Sequence, residues 1–90
     1  MSHFVLEYRY ADQDARARVR PDHLAYMNRL HEQGRVVLAG AMADGLGAMV
    51  VIRAEDEETA RQVVREDPYT AAGVSADATL REWNVVVPAP

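Results

Sequence analysis

The sequence predicts an α+β fold with the element order β-α-β-β-α-β, and three observations lead to it. His3 to Tyr10 alternates along the chain with a period of two, as a strand with one buried face does. Two β-rich runs, Val36 to Ala43 and Ala48 to Ala54, flank Asp44-Gly45-Leu46-Gly47, a turn sequence that makes them a hairpin. Two further stretches carry helical spacing, one opened by a proline and the other by acidic residues.

Taken in order, the first strand puts Phe4, Leu6, Tyr8 and Tyr10 on one face and His3, Val5, Glu7 and Arg9 on the other. Asp12 to Val19 is charged and Ala-rich, and is expected to form one or two loose helical turns before the main helix opens at Arg20-Pro21-Asp22 with proline in its first position. That helix is expected to stop at Gly34, a C-cap residue. After the hairpin, Asp56-Glu57-Glu58 starts a second helix. It must end near Asp67, because Pro68 keeps the preceding residue out of the α region. Tyr69 to Ala78 reads as a connection and Thr79 to Val87 as the last strand, followed by the tail Pro88-Ala89-Pro90. Right-handed crossovers fold this order into the ferredoxin-like arrangement, one four-stranded antiparallel sheet with both helices on a single face, and residues 1–90 into one domain.

The other sheet face is then uncovered. Its candidate residues are Val37, Ala39, Val50, Ile52, Val85 and Val87 or their alternates, since both alternating sets are largely apolar in the last three strands. A second copy packed sheet against sheet is the expected cover, so the partner is a homodimer mate, with an oligomer of dimers as a further possibility.

Composition removes several chemistries. The chain has no cysteine, which excludes disulfides, a thiolate nucleophile, iron–sulfur clusters and Cys-type zinc sites. All ten basic residues are arginine, so there is no Schiff-base or P-loop lysine. A net charge of −4 with no basic cluster argues against nucleic acid, and no apolar run approaches the roughly 20 residues that span a bilayer. The first residues lack the basic and apolar stretches of a secretory signal, so a cytoplasmic protein is expected. No motif calls for a cofactor, and one His with one Asp offers a metal two ligands where catalytic zinc takes three from the protein.

On a helical wheel Leu24, Met27, Leu30 and His31 define an apolar arc, and His23 falls inside it, four positions before Met27. Placed in the first helical turn, its imidazole would be held neutral by the helix dipole, as a general base requires. On the second helix, Asp67 continues the stripe Ala60, Val63 and Val64, at the end where the dipole opposes a carboxylate. The two helices run antiparallel, so the start of one lies beside the end of the other and His23 meets Asp67. Arg20, three residues before His23, would bring a positive charge for an anionic ligand, and Tyr8, Tyr10 and Tyr69 would supply aromatic walls. Two plainer roles stand beside these: a hydrogen-bonded core histidine, and an Asp67-Pro68 helix stop closed by an Asx turn. His31 has no acidic residue placed to meet it, His3 belongs to the surface or a dimer interface, and Trp83 packs at the sheet.

Three segments also carry a resemblance that covers nearly the whole chain: Arg20-Pro21-Asp22-His23-Leu24, Gly34-Arg35-Val36-Val37-Leu38-Ala39-Gly40 and Asp67-Pro68-Tyr69-Thr70-Ala71-Ala72-Gly73-Val74. In these the sequence resembles the YciI-like family. The resemblance implies a dimeric ferredoxin-like fold of the α/β-barrel type and a His–Asp pair regarded as a candidate active site, matched here by His23 and Asp67. With that pair taken as the site, Arg20, Tyr69, Tyr8 and Gly40 are the candidate substrate-side residues. Where the family often has Gly-Pro this chain has Gly40-Ala41, and its hairpin is short. Two functions are expected from the residues together: acid/base chemistry of a lyase or isomerase type on a small, anionic substrate, or a non-catalytic ligand-binding or accessory module.

Overall fold

The computed structural model describes residues 1–89; Pro90, the end of the expected tail, lies outside them. The elements are β1 (Ser2–Tyr10), α1 (Gln13–Glu32), β2 (Val36–Ala41), β3 (Gly47–Ala54), α2 (Glu57–Arg65), a short α3 (Pro68–Ala71) and β4 (Ser75–Trp83). The sheet order is β2-β3-β1-β4 with every neighbouring pair antiparallel, which is the ferredoxin-like topology. No helix among the described residues is long and apolar enough to cross a membrane.

Helix α1 starts eight residues before Pro21, its expected first position, and takes in as one continuous helix the stretch expected to form loose turns. Asp12 caps it, its Oδ1 accepting the Ala15 N–H at 2.9 Å, and Pro21 sits inside the helix instead of opening it. A proline there removes one N–H and frees the carbonyl four residues back, that of Ala17. Both residues face solvent, so water can bond the freed oxygen. What holds the early turns down is a buried stripe at helical spacing, Ala15, Val19, His23, Tyr26, Met27 and Leu30, packed on the sheet. Leu24 and His31, expected on that stripe, are exposed. His31 instead bonds the Val36 carbonyl through Nδ1 at 2.8 Å and anchors the start of β2. The helix ends as expected at Gly34, whose φ is 76°. The Arg35 N–H donates to the Leu30 carbonyl and the Gly34 N–H to that of His31, a Schellman closure.

The core lies between the sheet and the helices, with Phe4, Val50, Ile52, Val63 and Val74 fully buried. At Gly47, where β3 begins, a β-carbon would collide with the Tyr8 carbonyl, so glycine lets β3 approach β1 closely behind Tyr8. Of the two alternating sets that the sequence leaves open on β3, the structure puts the alternates on the open face: Val50 and Ile52 point at the helices, as does Ala39 opposite Val50, while Leu38, Met49 and Val51 lie on the open face. The shift in pairing between Val36 and Leu38 is a bulge, and one extra residue reverses which side chains face inward. Strand β4 is also displaced, running from Ser75 rather than Thr79 and stopping at Trp83. Its polar first half pairs with β1 through an irregularity near Asp77, whose φ is 52°, whereas the apolar run Val85 to Val87 forms no strand.

The Tyr26 hydroxyl donates to the Val63 carbonyl at 2.7 Å and ties α1 to α2. Burial, with Glu66 and Asp67 nearby, pushes this phenol up to about 12. An unfolded tyrosine ionises near 10, so between about pH 10 and 12 the unfolded chain binds fewer protons than the folded one. The stabilisation is therefore complete below that window and lost as pH rises through it. Denaturant midpoints followed into this range should fall steadily. Tyr26→Phe should flatten the decline by up to ~1.4 kcal/mol per pH unit.

Candidate active site

Asp67 lies two residues beyond the end of α2, just past its C-cap Glu66, and forms the N-cap of α3. Its Oδ1 accepts the Tyr69 N–H at 2.9 Å and also faces His23 Nδ1 at 2.8 Å. The Asx-type turn and the His–Asp contact are therefore one arrangement. The helix-end dipole is not the main influence on this carboxylate, because backbone and imidazole donors meet it directly. Nor does the dipole at the start of α1 act on His23, which sits in the middle of the helix.

Both groups are buried, His23 to 7% exposure and Asp67 to 4%. A carboxylate oxygen only accepts, so His23 Nδ1 carries the hydrogen and donates, and in the neutral ring Nε2 holds the lone pair. Nε2 has no hydrogen-bond partner among the described residues. The Tyr69 ring stacks on the imidazole with centroids 3.7 Å apart and planes within 4°, which fixes its orientation. Tyr69 in turn meets Tyr10 edge to face, and Tyr10 meets Tyr8 the same way.

His23 opens onto a cavity of about 150 Å³ between α1, β1 and the hairpin strands. Tyr8, Tyr10, Tyr69, Arg20 and Gly40 line it, so every residue assigned from the sequence to the substrate side is brought here. Asp67 lies behind the histidine and does not line it. Arg20 is exposed at the rim and makes no ion pair with Asp22. Gly40 contributes backbone alone, and its α-carbon has open space beside it. A larger, mostly apolar groove of about 620 Å³ lies on the open sheet face between Leu38, Trp83, Val85 and Val87, away from the His–Asp pair.

One lining residue was missed. Arg16 projects from the second turn of α1, with its guanidinium 4.1 Å over the Tyr10 ring and its Nε buried without a partner. The signal was present: Asp12 three residues before Ala15, then Ala15, Val19 and His23 at steps of four, mark a helix that would carry Arg16 beside Tyr10. Burial, with the Asp67 charge behind it, pushes the Tyr8 phenol well above its ordinary value, and burial raises Tyr69 despite the nearby Arg16. Both remain protonated donors at neutral pH. Among the described residues no third imidazole or carboxylate joins His23 and Asp67, so the site offers a metal two ligands.

Fold and site together define the class: a ferredoxin-like α+β protein with a buried His–Asp pair behind a small open-mouthed cavity. The family model for the YCII-related domain matches residues 1–84, and the chain belongs to that family. It is 34% identical over 83 residues to "Protein YciI" of Escherichia coli O6:H1, covering 81% of this chain and 85% of that protein. It is also 32% identical over 63 residues to "Uncharacterized protein YjpA" of Bacillus subtilis, covering 70% and 73%. Among solved structures, 5-chloro-2-hydroxyhydroquinone dehydrochlorinase (TftG) from Burkholderia phenoliruptrix AC1100, in complex with 2,5-dihydroxybenzoquinone, superposes with a TM-score of 0.80 at 20% identity, covering 98% of this chain and 99% of the other.

Proposed function

We propose that this chain is a small-molecule enzyme of the lyase or isomerase type, in which His23 moves a proton and Asp67 orients and charges it. The observation that carries this reading is the buried Nδ1 to Asp67 bond, which leaves Nε2 as the free nitrogen beside a cavity. A substrate C–H or O–H proton passes to Nε2, the bonding electron pair stays with the substrate, and Asp67 stabilises the imidazolium. Return of the proton at another atom gives isomerisation, and departure of a leaving group gives elimination. No cofactor is needed for such a step. Positioned acid and base groups supply about 10²–10⁴-fold in rate, which suits an already activated substrate. The reaction named for the structural neighbour, removal of chloride from a hydroxylated ring, is of this kind and supports the reading.

The test is incubation with 5-chloro-2-hydroxyhydroquinone and a set of enolisable ring compounds in deuterium oxide, following chloride release and deuterium uptake. Catalysis by the wild type that disappears in His23→Ala supports the enzyme. Equal rates in the two proteins, with a compound still bound, make the cavity a ligand-binding module.

We also propose a cytoplasmic homodimer formed through the open sheet face. Leu38, Met49 and Trp83 are 69%, 39% and 50% exposed there, and one helical layer covers only the opposite face. Sedimentation at low micromolar concentration should give a dimer or larger species, and Leu38→Asp should shift it to monomer. A wild-type monomer under those conditions contradicts the assembly.

A further inference from the structure

We propose that Tyr8 and Arg16 form the oxygen-binding side of the His23 cavity, and that its ligand is a planar compound of about one six-membered ring bound through an ionised hydroxyl. The inference rests on the enzyme reading for what His23 does to the ligand, but its binding part stands on separate observations.

Two polar side-chain atoms among the described residues are buried with no partner, the Tyr8 hydroxyl and Arg16 Nε. Both residues line this cavity. Buried donors left unmatched are uncommon in folded proteins, and two at one cavity point to an acceptor that arrives with a ligand. Tyr8 is 6% exposed, and its hydroxyl has no other use in the fold. Arg16 has no carboxylate partner among the described residues; its guanidinium bonds neutral groups alone, Gln13 Oε1 from Nη1 at 3.3 Å and the Tyr69 hydroxyl beside it. Its charge is thus not neutralised within the protein, and stacking on Tyr10 fixes its plane. Tyr8 stays protonated far above neutral pH and so acts as a donor.

Size and shape narrow the ligand. A cavity of about 150 Å³ is the space that holds one benzene molecule in a protein interior. The walls beside the donors are flat or small: the Tyr10 and Tyr69 rings, Ala48, and Val50. A ring lying among them meets His23 Nε2 at one edge and the Tyr8 and Arg16 donors at another. As His23 removes a proton, negative charge gathers on the ring oxygen, where preorganised donors stabilise it most.

The probe is 4-nitrophenol, whose anion alone absorbs in the visible, with the nitro group directed to the open mouth between Arg20 and Leu24. Titrated into the wild-type protein below the phenol's own pKa, it should show the anion band appearing with saturation. Arg16→Gln and Tyr8→Phe should each weaken that binding by about tenfold or more, the range for hydrogen bonds to a charged group. Tyr8→Phe removes a hydroxyl that bonds nothing, so its melting temperature should equal or exceed that of the wild type. Arg16→Lys keeps the charge without the fork and should recover part of the loss. Binding of the neutral phenol without the anion band, no saturable binding, or equal affinity in all the variants would overturn the proposal. Anion binding that depends on Tyr8 and Arg16 but comes with no His23-dependent exchange would retain this site and remove the enzyme reading. The opposite outcome would do the reverse.

Discussion

Asp67→Ala is expected to lower the melting temperature by about 10 °C or more. The substitution leaves two buried donors without an acceptor, the His23 Nδ1–H and the Tyr69 N–H, both of which meet Oδ1 in the native fold. Each stranded donor costs about 1–3 kcal/mol, and a domain of this size has a total stability of roughly 5–13 kcal/mol. At about 4–8 °C per kcal/mol the loss is easily measured by calorimetry or circular dichroism. Asp67→Asn should cost less, because both donors meet the one oxygen Oδ1 and an amide oxygen there can still accept from them, though more weakly than a carboxylate. If Asp67→Ala melts within a degree or two of the wild type, the carboxylate does not hold the two segments together.

His23→Ala is expected to leave a folded protein whose proton-transfer rate is about 10²–10⁴-fold lower. Asp67 keeps its backbone donor from Tyr69 in that variant, so the carboxylate is not left bare. The loss should fall on kcat, because the free Nε2 acts on the bonds being broken and the cavity walls that bind substrate remain. Asp67→Asn tests the same step from behind. With the ring no longer charged by a carboxylate, the rate should fall while affinity for a bound ring compound changes little. A rate unchanged by His23→Ala would remove the imidazole from the chemistry.

Much of this was legible in the sequence because two periodicities do not depend on detail. In β1 the outward face carries Glu7 and Arg9, so alternation alone separates it from the inward Phe4, Leu6 and Tyr8. The meeting of His23 with Asp67 followed from helical spacing and from antiparallel helices, even though Asp67 turned out to stand just past its helix, in a capping turn. Other elements hid for physical reasons. In β3 almost every residue is apolar, so alternation carries no sign, and its buried face is set by pairing with β1, Ile52 beside Phe4 and Val50 beside Leu6, while the bulge beside Val37 reverses the alternation of β2. Strand β4 begins with Ser75, Ala76 and Asp77 because it lies at the sheet edge, where one side needs no apolar cover, while Val85 to Val87 looks like a strand but has no neighbour to pair with. Pro21 misled most. Proline is common at a helix start and rare inside, and placing the start there detached Arg16 from the helix that carries it to the cavity.

The pairing of His23 with Asp67 is tested most directly by two-dimensional nitrogen–proton NMR of the histidine side chains in mildly alkaline buffer. His23 should appear as a single neutral tautomer with the proton on Nδ1, slowly exchanging, and with Nε2 unprotonated. That proton should lose its protection in Asp67→Ala. A His23 signal protonated on Nε2, or one exchanging freely between tautomers, would contradict the pairing and with it the free base at the cavity.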